Sequence, residues 1–179
     1  MSRLTHRTAP GVTYFVTTDA WQKTAVFQVA EIAEIVVRRI LACRDQGSCG
    51  LHEFVLMPNH LHLLLTPGPS CSLEKVMMLI KGRSSHEIHL LRGNRAEIWQ
   101  AGFHDWTIRD SADFSARTEY IRMNPVVAKL VERPEKWPYS SASGKFRMDP
   151  APNKRGGLAS AAKADSAGHA SVGAEAPTP

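Results

Sequence analysis

Two apolar runs separated by two turn residues constrain this chain more than any other feature. Residues Leu51-His52-Glu53-Phe54-Val55-Leu56-Met57 form the first run and His60-Leu61-His62-Leu63-Leu64-Leu65-Thr66 the second, with Pro58 and Asn59 between them. Runs this short and apolar are strands, and Pro-Asn favours a turn, so the stretch is expected to be a β-hairpin. Side chains alternate along a strand. His60 and His62 therefore share one face and Leu61 anchors the other. Two adjacent imidazoles are half of a metal site, and the rest of the chain must supply the other half.

The remaining elements arrange themselves around this hairpin. Thr13 to Asp19 is β-branched and aromatic and reads as a strand. From about 26 to 46 the period becomes helical, with Val29, Ile32, Val36, Ile40 and Cys43 on one face and Gly47 and Gly50 as stops. Pro67 to Ser70 closes the hairpin. Residues 72–91 are helical again, with Leu73, Val76, Met77, Ile80, Ile88 and Leu91 in register and Gly82 weakening the middle. Phe103 to Arg109 reads as a fourth strand. Asp110 or Ser111 caps a helix running to about 123, which Pro125 is expected to end or kink at Asn124. A short helical segment from Val126 to Val131 follows, and Pro134, Trp137 and Pro138 mark a closing loop. The order β-α-β-β-α-β defines an α+β, ferredoxin-like plan: an antiparallel sheet with two helices on one face, an open second face, and a C-terminal helical segment.

Composition bounds the function classes. With 179 residues, 43% hydrophobic and 22% charged, the chain suits one globular domain, placed at residues 1–146. From 147 to 179 Ala, Gly, Ser and Pro dominate, and a disordered tail is expected. No apolar run approaches a membrane span, the basic N-terminus lacks an apolar signal core, and Cys43, Cys49 and Cys71 form no paired spacing. A cytoplasmic protein with reduced thiols and no membrane partner is the expectation. The net charge of +5 suits a nucleic-acid partner but is shared by many proteins without one.

The missing half of the site lies on the last long helix. Tyr120 and Asn124 are four apart and share a face, with Asp113 and Arg117 on the same stripe. Phe114 and Ile121 lie on another stripe and can pack on the core. An asparagine oxygen can ligate a hard cation, and a tyrosine hydroxyl can attack phosphorus.

Taken together, Met57-Pro58-Asn59-His60-Leu61-His62, then Trp99-Gln100 with Phe103, Asp105, Ile108 and Arg109, then Tyr120-Ile121-Arg122-Met123-Asn124-Pro125-Val126 resemble the HUH single-tyrosine transposases. The closest resemblance is to their REP-associated branch, over roughly residues 12 to 142. The resemblance implies that His60, His62 and Asn124 bind one divalent metal, Mg²⁺ or Mn²⁺, and that Tyr120 is the nucleophile. It implies cleavage and rejoining of single-stranded DNA near hairpins through a 5′-phosphotyrosine intermediate, by a monomer or a homodimer. Basic side chains at Lys75, Lys81, Arg83, Arg109, Arg117 and Arg122 are candidates for binding the DNA backbone. Two alternatives stand beside this reading. One is a non-cleaving regulator of the same fold that binds hairpin DNA. The other is a metal-dependent hydrolase of another class, for which Glu53 and Asp105 are the candidate acidic ligands. An RNA-recognition module is disfavoured, because the third strand carries no stacking aromatic.

Overall fold

The computed structural model describes residues 9 and 11–152. Its elements follow the expected order: β1 (Tyr14–Asp19), α1 (Ala30–Asp45), β2 (Cys49–Met57), β3 (His60–Pro67), α2 (Leu73–Arg92), β4 (His104–Thr107) and α3 (Ser111–Val127). The strands form one antiparallel sheet in the order β2-β3-β1-β4. This is the ferredoxin-like α+β topology the hydrophobic pattern predicts. The hairpin turn is the two residues Pro58 and Asn59, with Met57 facing His60 across it.

Alternation sorts the sheet into two faces. Tyr14, Val16, Leu61, Leu63 and Leu65 point to one face and pack with Ile32, Val36 and Ile40 of α1 and with Val76, Met77 and Ile80 of α2. This is the main core. Phe15, Val55, Met57 and Leu64 point to the other face and pack with Ile121 of α3, flanked by Phe114, Ile108 and Trp137. The second face is therefore not open, as the plan alone suggested. α3 lies over β2 and β3, because Ile121 and Phe114 give the helix an apolar stripe that this face of the sheet can bury. Full burial of Ile121 contributes on the order of 2 kcal/mol.

Two helix boundaries also differ from the pattern. The segment expected to start a helix at 26 is a 3₁₀ turn at Val26–Gln28, and α1 begins after Val29. α3 does not stop at Asn124 but runs through Pro125 to Val127, so the expected separate helix at 126–131 is absent. Proline costs the helix one amide donor. Here its ring is buried, and the following amides of Ala128 and Leu130 still reach the carbonyls of Asn124 and Pro125. Asp110 caps the start of α3, accepting from the amides of Ala112 and Asp113 at 2.9 Å each.

The closing loop covers the free edge of β2. The Leu56 amide donates to Tyr139 O, and the Trp137 indole donates to Leu56 O at 2.9 Å. Asp149, beyond the boundary expected at 146, still belongs to the folded body. It accepts from the Leu51 amide at 2.8 Å and pairs with Arg44 at 3.0 Å. The rest of the expected tail, from residue 153 onward, lies outside the described residues. Among the described residues no helix is long and apolar enough to cross a membrane.

Candidate active site

The histidine pair sits where β3 leaves the hairpin turn. In the register His60 faces Asp19 and His62 faces Thr17 on β1, so all four side chains share the α3 side of the sheet. The two imidazole rings stand 4.7 Å apart between centroids. Each has its Nδ1 engaged: His62 with Thr17 Oγ1 at 2.8 Å, and His60 with Asn59 Oδ1 at 2.7 Å. The Asn59 oxygen accepts from His60 Nδ1, which places the lone pair of that ring on Nε2; the Thr17 hydroxyl can accept from His62 Nδ1 in the same way. His62 Nε2 is buried and has no hydrogen-bond partner among the described residues. Burial, followed by the neighbouring His60, pushes the His62 pKa down to about 3, and burial lowers His60 as well. Both rings are thus neutral donors at ordinary pH.

Helix α3 brings two more side chains to the pair. The ring of Tyr120 meets His62 edge-on, with centroids 5.3 Å apart, and meets Phe15 the same way at 5.8 Å. Phe15 in turn stacks on His62 at 5.4 Å. One turn further along, Asn124 lies beside His60, close enough for its side chain to act on the imidazole. Tyr120 remains 47% exposed, so its ring is held while its hydroxyl end can meet a substrate. Among the described residues no three His, Cys, Asp or Glu side chains cluster as a metal site, and a further polar side chain beside the pair is the carboxamide of Asn124. Two neutral imidazoles, one with a buried unpaired nitrogen, and one carboxamide fit a divalent cation whose remaining ligands are oxygens.

The acidic residues are placed differently. Glu53 is buried and bound, by Arg122 at 2.5 Å and by the Ser141 hydroxyl at 2.5 Å. Asp105 faces Val16 in the register and so lies on the α1–α2 side of the sheet, behind the histidines. Asp19 is the carboxylate directly across from His60, and it is ion-paired with Lys23 at 2.6 Å.

The basic candidates separate into groups. Lys75 and Arg83 are exposed on α2, in the layer behind the sheet. Lys81 is turned inward: its ammonium donates to the carbonyls of Gln100 and Gly102, and burial lowers its pKa to about 8. Arg109 pairs with Asp113 at 2.9 Å, and Arg122 is engaged with Glu53. Arg117 lies against aromatic rings beside Tyr120.

The antiparallel sheet thus sets a His-x-His strand against a helix carrying a tyrosine and an asparagine. Residues 13–124 match the family model described as "Transposase IS200 like", and the chain belongs to that family of DNA-processing proteins. It is 26% identical over 132 residues to the REP-associated tyrosine transposase of Escherichia coli strain K12, covering 73% of this chain and 76% of that relative. It is 29% identical over 112 residues to a Haemophilus influenzae protein provisionally named a REP-associated tyrosine transposase, covering 57% of this chain and 64% of that one. A solved structure of a REP-associated tyrosine transposase bound to a REP hairpin superposes with a TM-score of 0.66 at 23% identity, over 86% of this chain and 93% of the other. At that identity the likeness establishes a shared fold.

Sequence reasoning missed Phe15, Thr17 and Asp19 as neighbours of the histidines. Their alternation on β1 was visible, but placing them requires the β1–β3 register. The Glu53–Arg122–Ser141 group, with Glu53 and Ser141 buried, was also missed, because its members are far apart in the chain and nothing local links them.

Proposed function

We propose that the chain is a single-tyrosine strand transferase that cleaves and rejoins single-stranded DNA beside hairpins. The observation that carries this reading is the approach of Tyr120 to His62 within one chain, with Asn124 beside His60. The relative bound to a REP hairpin, which shares this fold, supports a hairpin-bearing strand as the ligand.

In this mechanism Tyr120 Oη attacks the scissile phosphorus. The Oη–P bond forms and the P–O3′ bond breaks. The phenol gives up its proton to solvent and the departing 3′ oxygen takes one up, leaving a free 3′-OH and a 5′-phosphotyrosine. The phosphodiester energy is retained in that link, so a 3′-OH can reverse the step without a nucleotide cofactor. Phe15 and His62 hold the tyrosine ring in place, which limits the entropy lost on reaching the transition state. His60, His62 and Asn124 would hold Mg²⁺ or Mn²⁺, which when bound supplies Lewis-acid polarisation of the phosphate. Thr17 and Asn59 orient the two imidazoles through Nδ1.

The test is incubation of the full chain with a labelled single strand carrying a hairpin, with and without Mn²⁺, using wild type and His60→Ala/His62→Ala. A denaturation-resistant protein–DNA band that requires both the metal and the histidines is expected. A band of undiminished intensity in the histidine variant contradicts the metal assignment.

A further inference from the structure

We propose that Trp106 and Arg117 form a stacking subsite for one unpaired nucleobase of the strand, beside the nucleophile. The proposal rests on the reading of this face as the single-stranded DNA site, and adds to it where a base is held and by what.

Trp106 lies on β4, the edge strand of the sheet, directly opposite Phe15 in the register. Cross-strand partners share a face, so the indole stands on the same side as His62 and Tyr120. Arg117 sits on α3 one turn before Tyr120. Its guanidinium carbon lies 4.9 Å from the Phe15 ring centroid and 5.5 Å from that of Trp106. Phe15 then contacts both His62 and Tyr120. A continuous series of planar groups therefore runs from Trp106 through Arg117 and Phe15 to the nucleophile.

This series is more than the core needs. Trp106 is 51% exposed, at the rim of the small second core, and it does not belong to that cluster. An indole left half in water forgoes much of the burial that makes tryptophan stabilising in a core. What the position does provide is an open aromatic face beside a planar cation. The cation–π contact holds the guanidinium plane close to the indole. Arg109 is paired with Asp113 and Arg122 with Glu53, whereas Arg117, within Coulombic reach of Asp113, sets its guanidinium over rings of which the outer one is exposed. A planar π-surface backed by a cation is the chemistry that binds a nucleobase with little regard to sequence. A DNA duplex keeps its base faces stacked internally, so the occupant is an unpaired base, and its distance from the scissile phosphate is set by the one-turn spacing of Arg117 and Tyr120.

The experiment uses the full chain carrying Tyr120→Phe, so that no bond is cut. A single 2-aminopurine is moved one position at a time through the unpaired segment of a hairpin-bearing oligonucleotide. One position is expected to show strong quenching on binding. Trp106→Ala should abolish that quenching and weaken binding of this strand about tenfold, while Trp106→Tyr retains both. Binding of a hairpin lacking the unpaired segment should be unchanged by either substitution. Quenching that survives Trp106→Ala, absence of quenching at every position, or equal weakening for both oligonucleotides overturns the subsite. Adduct formation by the chain with Tyr120 intact reports on the cleavage reading separately. An adduct without quenching sinks only the subsite, and quenching without an adduct sinks only the cleavage reading.

Discussion

The ring of Tyr120 stands edge-on to that of His62, 5.3 Å away between centroids, and both belong to the same chain. α3 reaches this position because Ile121, the next residue, is buried on the second face of the sheet in a cluster with Phe15, Val55, Met57 and Leu64. Tyr120 and the histidine pair thus lie together within one chain. The expected consequence is cleavage in cis. Tyr120→Phe and His62→Ala should each be inactive in covalent adduct formation, and mixing the two should restore nothing. An adduct recovered on mixing would show that the helix of one copy serves the sheet of another.

The buried imidazoles set the pH dependence of stability. His62 has a folded pKa of about 3, and burial also lowers His60 and His52, all from an ordinary value of 6.5. With the folded values below the unfolded one, the unfolded chain binds more protons once the pH drops below 6.5. Stability contributed by the neutral rings is complete above that pH and is lost as the pH falls from 6.5 towards 3. Each such ring adds a slope of at most about 1.4 kcal/mol per pH unit. Denaturant unfolding in a chelating buffer between pH 7 and pH 4.5 should show this loss, and His62→Gln should make the curve shallower. An unchanged slope in that variant would contradict a buried, neutral His62.

Arg122 is predicted to act on the fold before it acts on DNA. Its guanidinium neutralises Glu53, which is only 4% exposed and otherwise has the Ser141 hydroxyl as donor. The arginine itself is half in solvent, so the Coulombic part is screened and the main cost of Arg122→Ala is the charge left buried. A loss of about 1–2 kcal/mol is expected, with Glu53→Gln restoring part of it in the double variant. Wild-type stability combined with weaker DNA binding would instead make Arg122 a direct DNA contact.

Gly82 offers a stabilising change. It lies inside α2, and a Cβ built there meets nothing within 4 Å. Gly82→Ala should raise stability by about 1 kcal/mol, seen as a higher melting temperature. A lower melting temperature would show that the helix needs the glycine for a reason that packing does not reveal.

The fold was legible because period and punctuation agreed. The hairpin was set by Pro58-Asn59 between two apolar runs, and the two helices of the main core by their three- and four-residue spacing. α3 was placed correctly at its start, where Asp110 is a strong cap; at its end, where a stop or a kink was expected, the helix continues through the buried Pro125 to Val127. The open sheet face was expected because a split-βαβ plan has two helices and α3 lies outside it. Phe114 and Ile121 were the available sign that α3 would cover that face. Of the proposed site, the pairing of His60 with His62 and of Tyr120 with Asn124 is local and could be read from spacing. Thr17, Phe15 and Trp106 enter through strand register, which a single sequence does not specify. Lys81, offered as a DNA contact on its charge alone, has a partner the sequence did not reveal: its ammonium fastens the loop at Gln100 and Gly102.

The central claim is that Tyr120 is the group that attacks phosphorus. The most direct measurement is digestion and mass analysis of the covalent product formed by the full chain with a hairpin-bearing single strand and Mn²⁺. The account predicts a phosphonucleotide on the peptide containing Tyr120, and no adduct from Tyr120→Phe although that variant still binds the hairpin. An adduct on Tyr14 or Tyr139, or undiminished adduct from Tyr120→Phe, would contradict it.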